Sequence, residues 1–152
     1  MCVETNQDSA SSSVSVPSKN FWSNLWKLKV PGKVKSLLWR ACMDSLRTKS
    51  NLCKRKIVGD PTCSLCLKEP ETILHALWGC EKIQAVWQRG FAGLHNVGQQ
   101  LQSVVELVDL VQKKHRSFNV FAMTYWAVWN RRNKIRVGEK SNAAGIGVWS
   151  CV

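Results

Sequence analysis

The chain has 152 residues, 45% of them hydrophobic and eight of them tryptophan, which is enough for one modest domain with a real core and excludes a chain disordered throughout. Its 22 lysines and arginines stand against 10 acidic residues, a formal charge of +12 that favours a polyanionic partner over a self-repelling surface with none. The seven cysteines are an odd number with no charged and apolar signal segment before them, and the stretch Phe118 to Trp129 is too short and interrupted to cross a bilayer. A reducing, intracellular setting, nuclear or cytoplasmic, is expected, with no secretion and no membrane partner.

Residues 1–19 are rich in serine (Ser9, Ser11, Ser12, Ser13, Ser15, Ser18) without a sustained apolar period, and read as a flexible leader. Phe21, Trp22, Leu25, Trp26 and Leu28 recur at helical intervals up to Val30-Pro31-Gly32, where proline interrupts the helix. A second amphipathic helix follows on Val34, Leu37, Leu38, Ala41 and Cys42. Thr48 is the expected N-cap of a third helix carrying Leu52, Cys53 and Ile57 and closed by Gly59-Asp60-Pro61. Glu71 to Trp78 predicts a short helix with Glu71 in its first turn, ended by Gly79, a residue able to turn the chain sharply. Ile83, Val86 and Trp87 begin the next helix, and Gln88 to Gly98, with Gly90, Gly93 and Gly98, predicts a loop. Leu101, Val104, Val105, Val108 and Val111 resume a helical period, and a last helix runs from about Phe118 through Arg136.

Inside this helical frame, Cys63, Cys66, His75 and Cys80 form C-x2-C-x8-H-x4-C, the spacing of a structural zinc site. The Cys63-Ser-Leu-Cys66 turn brings two thiolates onto one ion, and His75 and Cys80 complete a tetrahedron. A closed Cys3His shell leaves no position for a catalytic water, so one Zn2+ with a folding role is expected. The alternative is three buried thiols and an ordinary helical histidine. Clustering of all four within 18 residues favours the metal. Cys53, ten residues upstream, sits in an apolar and basic helical pattern and reads as a packed thiol outside the site.

The charge is uneven. Between Lys19 and Asp60, eleven lysines and arginines face only Asp44 and Asp60; between Lys113 and Lys140, eight face only Glu139; the segment 61–112 between them is slightly acidic. Lys33, Lys35, Arg40, Lys54, Arg55, Lys56, Arg131 and Arg132 are the candidate contacts to RNA or DNA. Such contacts bind through counterion release, largely without sequence choice. Lys54 to Lys56 also suit the negative end of a helix, so capping competes with recognition there. Trp22, Trp26, Trp39 and Trp87 could stack on unpaired bases, but their spacing beside Leu and Val favours the core, and only an exposed indole would revive stacking.

The string Phe21-Trp22, Leu25-Trp26-Lys27-Leu28-Lys29-Val30-Pro31-Gly32-Lys33-Val34-Lys35-Ser36-Leu37-Leu38-Trp39-Arg40, followed by Leu46-Arg47-Thr48, Leu52, Cys63-x2-Cys66, Glu71-Thr72, His75, Cys80 and Trp87, closely resembles the zinc-binding domain downstream of the reverse transcriptase in plant non-LTR retrotransposons. Trp126, Trp129 and Arg132-Asn133 are similar to the helix joining that domain to a downstream RNase H domain, and Gly145-Ile146-Gly147-Val148-Trp149 faintly resembles the opening of an RNase H-like strand. The resemblance implies a mainly α fold: a small helical domain with a Cys3His zinc knuckle between helices, a flexible N-terminal leader and additional C-terminal helices. The expected division is 1–19 leader, 20–90 zinc-binding domain, 91–140 helical linker region and 141–152 short tail. It further implies an accessory module whose partners are nucleic acid and, in a polyprotein, reverse transcriptase or RNase H domains.

Catalysis is not expected. The ten acidic residues are dispersed, with no paired aspartates to hold two divalent ions and no Tyr-x-Asp-Asp, and there is neither a phosphate loop nor a nucleophile elbow for a small-molecule substrate. A protein-interaction or structural remnant of a retroelement, without nucleic-acid binding, is the alternative.

Overall fold

Helices and tight turns account for most of the molecule. The computed structural model describes residues 16–98, 100–114 and 117–137. Most of the expected leader and the RNase H-like stretch at 145–149 lie outside the described residues. Ser18 belongs to the fold: its hydroxyl accepts from the Phe21 N–H at 3.2 Å and caps α1 (Lys19–Trp26), which buries Phe21 and Leu25. Pro31 ends the connection and starts α2 (Gly32–Cys42), accepting from the Val34 N–H at 2.9 Å. The buried stripe of α2 is Val34, Leu37, Leu38 and Ala41, as its period predicts.

Thr48 caps α3 (Lys49–Lys54) through its hydroxyl, which accepts from the Asn51 N–H at 3.4 Å. This helix is shorter than expected. Lys56 takes a left-handed φ of 58°, its N–H meets the Cys53 carbonyl, and the Ile57 N–H meets the Leu52 carbonyl at 2.9 Å, so the chain closes in a Schellman turn. Ile57 falls beyond that turn and is exposed instead of joining the apolar stripe. Buried Asn51 ties α3 to the end of α2 by donating to the carbonyls of Asp44 (3.1 Å) and Leu46 (2.9 Å).

A π-helical turn (His75–Gly79) and a 3-10 turn (Glu81–Ile83) lead into α4 (Gln84–Gly98). Here the expected loop is corrected: the backbone is helical through Gly98, broken only at Phe91 (φ −137°). Glycine weakens a helix by roughly 1 kcal/mol, and burial of Phe91 and Leu94 in the core offsets that. α5 (Val104–Lys114) carries the expected period from Val104 on but leaves Leu101 before its start, and α6 (Phe118–Arg136) matches its expected bounds.

The core is one continuous cluster running from Phe21 to Val128, so α5 and α6 pack with the N-terminal helices across position 90. At its centre Trp87 lies 4.9 Å from Trp78 and 5.3 Å from Phe121, ring centroid to centroid, while its indole N–H donates to the Leu77 carbonyl at 3.0 Å. Tyr125 stacks on Phe121 at 5.6 Å. α2 lies against α6, with the Lys33 ammonium 4.5 Å from the Trp126 ring centroid. No helix among the described residues is long and apolar enough to cross a membrane.

Candidate metal centre

The loop after α3 is closed by its own backbone. The Glu71 N–H donates to the Pro61 carbonyl at 2.7 Å and the Cys63 N–H to the Glu69 carbonyl at 2.8 Å, with an isolated antiparallel bridge between Thr62 and Pro70. Within it the Leu67 N–H reaches back to the Cys63 carbonyl at 3.0 Å, and Leu67 adopts a left-handed φ of 58°. That turn faces Cys63 and Cys66 to the same side while the Leu67 side chain stays exposed. The backbone N–H groups of Lys68 and Glu69 both donate to the Cys66 sulfur.

Thr72, not Glu71, begins the next helical segment. Its hydroxyl accepts from the His75 N–H at 3.1 Å and its carbonyl from the Ala76 N–H at 2.9 Å. From His75 the turn widens, and the Cys80 N–H bonds to the His75 carbonyl at 2.8 Å, a five-residue closure. At 3.6 residues per turn, five residues would leave Cys80 about 140° around the helix from His75. The i→i+5 closure, at roughly 4.4 residues per turn, brings the two onto nearly one face. The return of Cys80 is therefore made by the π turn. Gly79 does not use its left-handed freedom, and a Cβ there would meet the Leu74 carbonyl at an ordinary 3.8 Å.

Cys63, Cys66, His75 and Cys80 are all buried, and one donor atom from each lies within 4.8 Å of all the others. The Cys63 and Cys80 sulfurs are 4.0 Å apart, and the Cys66 sulfur is 3.4 Å from His75 Nε2. Metal–ligand bonds of about 2.3 Å to sulfur and about 2.0–2.1 Å to nitrogen make tetrahedral edges of about 3.8 and 3.5 Å, so the donor set fits a small tetrahedral cation. The thiols themselves point the same way. Burial raises the Cys66 thiol, but hydrogen bonds from the Lys68 and Glu69 N–H groups, His75 and Cys63 outweigh it and bring it down to about 6. Burial, reinforced by the neighbouring Cys63 and Cys66, pushes Cys80 up to about 12. One thiolate is favoured and a second resisted, a conflict that a divalent cation at the centre relieves.

Glu69 completes the arrangement. Its carboxylate lies 3.2 Å from His75 Nδ1, which leaves Nε2 to face the sulfurs and fixes the ring orientation. Reading the sequence for ligands alone passed over Glu69. A carboxylate between the second and third ligands was the available signal. Cys53, buried on α3, is not among the clustered donors.

Around the centre the basic residues divide. Arg40, Lys54, Arg55 and Lys56 are exposed, with Lys54 3.6 Å from the Asp44 carboxylate. Lys33 is exposed over Trp126, and half-buried Lys35 donates to the Trp26 carbonyl at 2.9 Å. Arg131 is half-buried. Arg132, expected among the contacts to RNA or DNA, is instead buried: it is 6% exposed, pairs with buried Glu71, donates to the Arg47 carbonyl at 3.1 Å and lies 5.0 Å from the Trp129 ring. Burial lowers its guanidinium, opposed by the Glu71 carboxylate. This pair clamps α6 onto the loop that carries the cysteines, and it removes Arg132 from any phosphate contact. The basic residues Arg116 and Lys140 lie outside the described residues.

Comparison with known proteins agrees with this geometry. Residues 6–87 match the family model described as zinc-binding in reverse transcriptase. A protein of Arabidopsis thaliana that carries the name of a ribonuclease H protein is 31% identical over 128 residues, an alignment covering 80% of this chain and 21% of the relative. The chain thus spans about a fifth of the length of that relative. No solved structure matches.

Proposed function

The chain belongs to the family of zinc-binding domains in reverse transcriptase, and we propose that it is a non-catalytic module, folded around one structural Zn2+, that holds RNA or DNA through its basic surface without sequence choice. The observation that carries this reading is the conjunction of a buried four-donor cluster with a run of solvent-facing cations on α2 and at the end of α3. Cys63, Cys66, His75 and Cys80 would hold the ion. When bound it supplies cross-linking of three chain segments and leaves no open coordination position. With three thiolates and one imidazole the centre carries net charge −1, which the backbone N–H of Lys82, donating to the Cys80 sulfur, tempers.

Lys33, Lys35, Arg40, Lys54, Arg55, Lys56 and Arg131 are the proposed phosphate contacts. Among the described residues only Lys54 of these is within ion-pair distance of a carboxylate, so the rest keep their charge available for a polyanion. The similarity to a relative named for ribonuclease H supports placement beside reverse transcriptase or RNase H domains of a longer polyprotein.

The test is fluorescence anisotropy of labelled RNA and DNA across a salt series. Binding whose log affinity falls linearly with log salt, and whose slope shallows when Lys54, Arg55 and Lys56 are changed to Gln, is the expected result. Absence of binding even at low salt would leave a structural or protein-interaction module.

A further inference from the structure

Two indoles that the apolar spacing assigns to the core are on the outside. Trp26 is 46% exposed and Trp39 42%, whereas Trp87 and Trp78 are buried. The exposed pair sits on neighbouring helices. Lys35 on α2 donates to the carbonyl of Trp26 at the end of α1, and Trp39 lies one helical turn beyond Lys35 on the same face of α2. Half-buried Trp22, one turn before Trp26, extends the strip along α1, and Met43, 56% exposed, extends it along α2. Indoles left this open on adjoining faces forgo burial, which marks a surface with a partner.

The charge around the strip says which partner. From Lys19 to Met43 the chain carries Lys19, Lys27, Lys29, Lys33, Lys35 and Arg40 and no acidic residue. An aromatic surface rimmed by one sign of charge suits a ligand that is anionic along its backbone and flat and apolar at its side groups. Duplexes hide their base faces in the stack, and single strands offer them. We propose that Trp26 and Trp39, flanking Lys35, form a stacking platform for unpaired nucleobases, so that the module prefers single-stranded RNA or DNA to duplex. This rests on the nucleic-acid reading above and adds the strandedness.

The experiment uses the full 152-residue chain, metal-loaded, with labelled single strands of about twelve pyrimidine nucleotides and a duplex of the same length, read by anisotropy at fixed salt. Wild type should bind the single strand more tightly. W26A/W39A should weaken single-strand binding by about tenfold or more, leave duplex binding within about twofold, and keep the salt slope. Equal affinity for both forms, an equal loss on both, or no loss on either would overturn the platform while leaving charge-based binding intact. Binding to neither form would instead remove the nucleic-acid reading itself, and the platform with it. Circular dichroism and metal content check that the variant folds. Independently of any variant, photocrosslinking of wild type to a 4-thiouridine-substituted strand should map to Trp26 and Trp39, and crosslinks confined to other segments would overturn the proposal.

Discussion

Glu71→Ala should unfold this protein more readily than any change of a surface charge. Glu71 is 3% exposed and Arg132 6%, and the two side chains are paired. Without the carboxylate, Arg132 keeps only the Arg47 carbonyl, the Asn133 side-chain oxygen at 3.0 Å and the Trp129 ring. Stranding one partner of a buried ion pair costs about 3–5 kcal/mol, against a total stability of about 5–15 kcal/mol for a domain. At about 2–4 °C per kcal/mol for a chain of this size, the melting temperature should fall by about 6–20 °C. Urea denaturation of metal-loaded wild type, E71A, R132M and E71A/R132M, followed by circular dichroism, measures it as a double-mutant cycle. Both single variants should be destabilised, and the double variant, with no stranded charge, should recover much of the loss. A single-variant loss under about 1 kcal/mol, the level of an exposed pair, together with a salt slope for RNA binding that shallows in R132M, would refute the assignment and return Arg132 to the phosphate contacts.

Cys63→Ser with Cys66→Ser should abolish both the binding of the one proposed zinc and the fold, since binding of a structural zinc contributes about 10–16 kcal/mol of folding energy in zinc-finger peptides; metal content by mass spectrometry and circular dichroism check both, and a folded, metal-free double variant would contradict it. Glu69→Gln should weaken metal affinity by about 10- to 100-fold without unfolding the loaded protein, measured by competition with a chromophoric chelator, because the acceptor on His75 Nδ1 is weakened. Tyr125 is the one tyrosine of the chain, fully buried, with a hydroxyl that has no partner among the described residues, and burial raises its pKa well above 10. Its folded pKa lies above the unfolded one, so its neutrality is compatible with folding below about pH 10 and opposes folding as pH rises through the unfolded value. Tyrosinate absorbance should accordingly appear only with unfolding, and Tyr125→Phe should be neutral or stabilising by about 1 kcal/mol; a reversible titration near pH 10 in the folded protein would show the hydroxyl to be wet.

Features carried by a few neighbouring residues were legible in the sequence. The Cys3His cluster, the N-cap at Thr48, the break at Pro31, the stripe of α2 and the extent of α6 all follow from spacing along the chain, and the structure has them where spacing puts them. Features that depend on what lies across the core were not. Gly90 and Gly93 read as a loop because glycine weakens a helix locally, yet the burial of Phe91 and Leu94 carries α4 through them. Arg132 reads as surface from its neighbours Arg131 and Asn133, but Glu71, 61 residues away, draws it inside. Trp26, Trp39 and Trp87 look alike in an apolar pattern. Only the packing of α4 on Phe121 and Tyr125 buries the last, while among the described residues no helix covers the outer faces of α1 and α2 where the first two stand. Periodicity and ligand spacing are properties of a segment of ten or twenty residues, whereas burial, ion pairing and exposure are set by contacts between segments that the chain brings together only on folding.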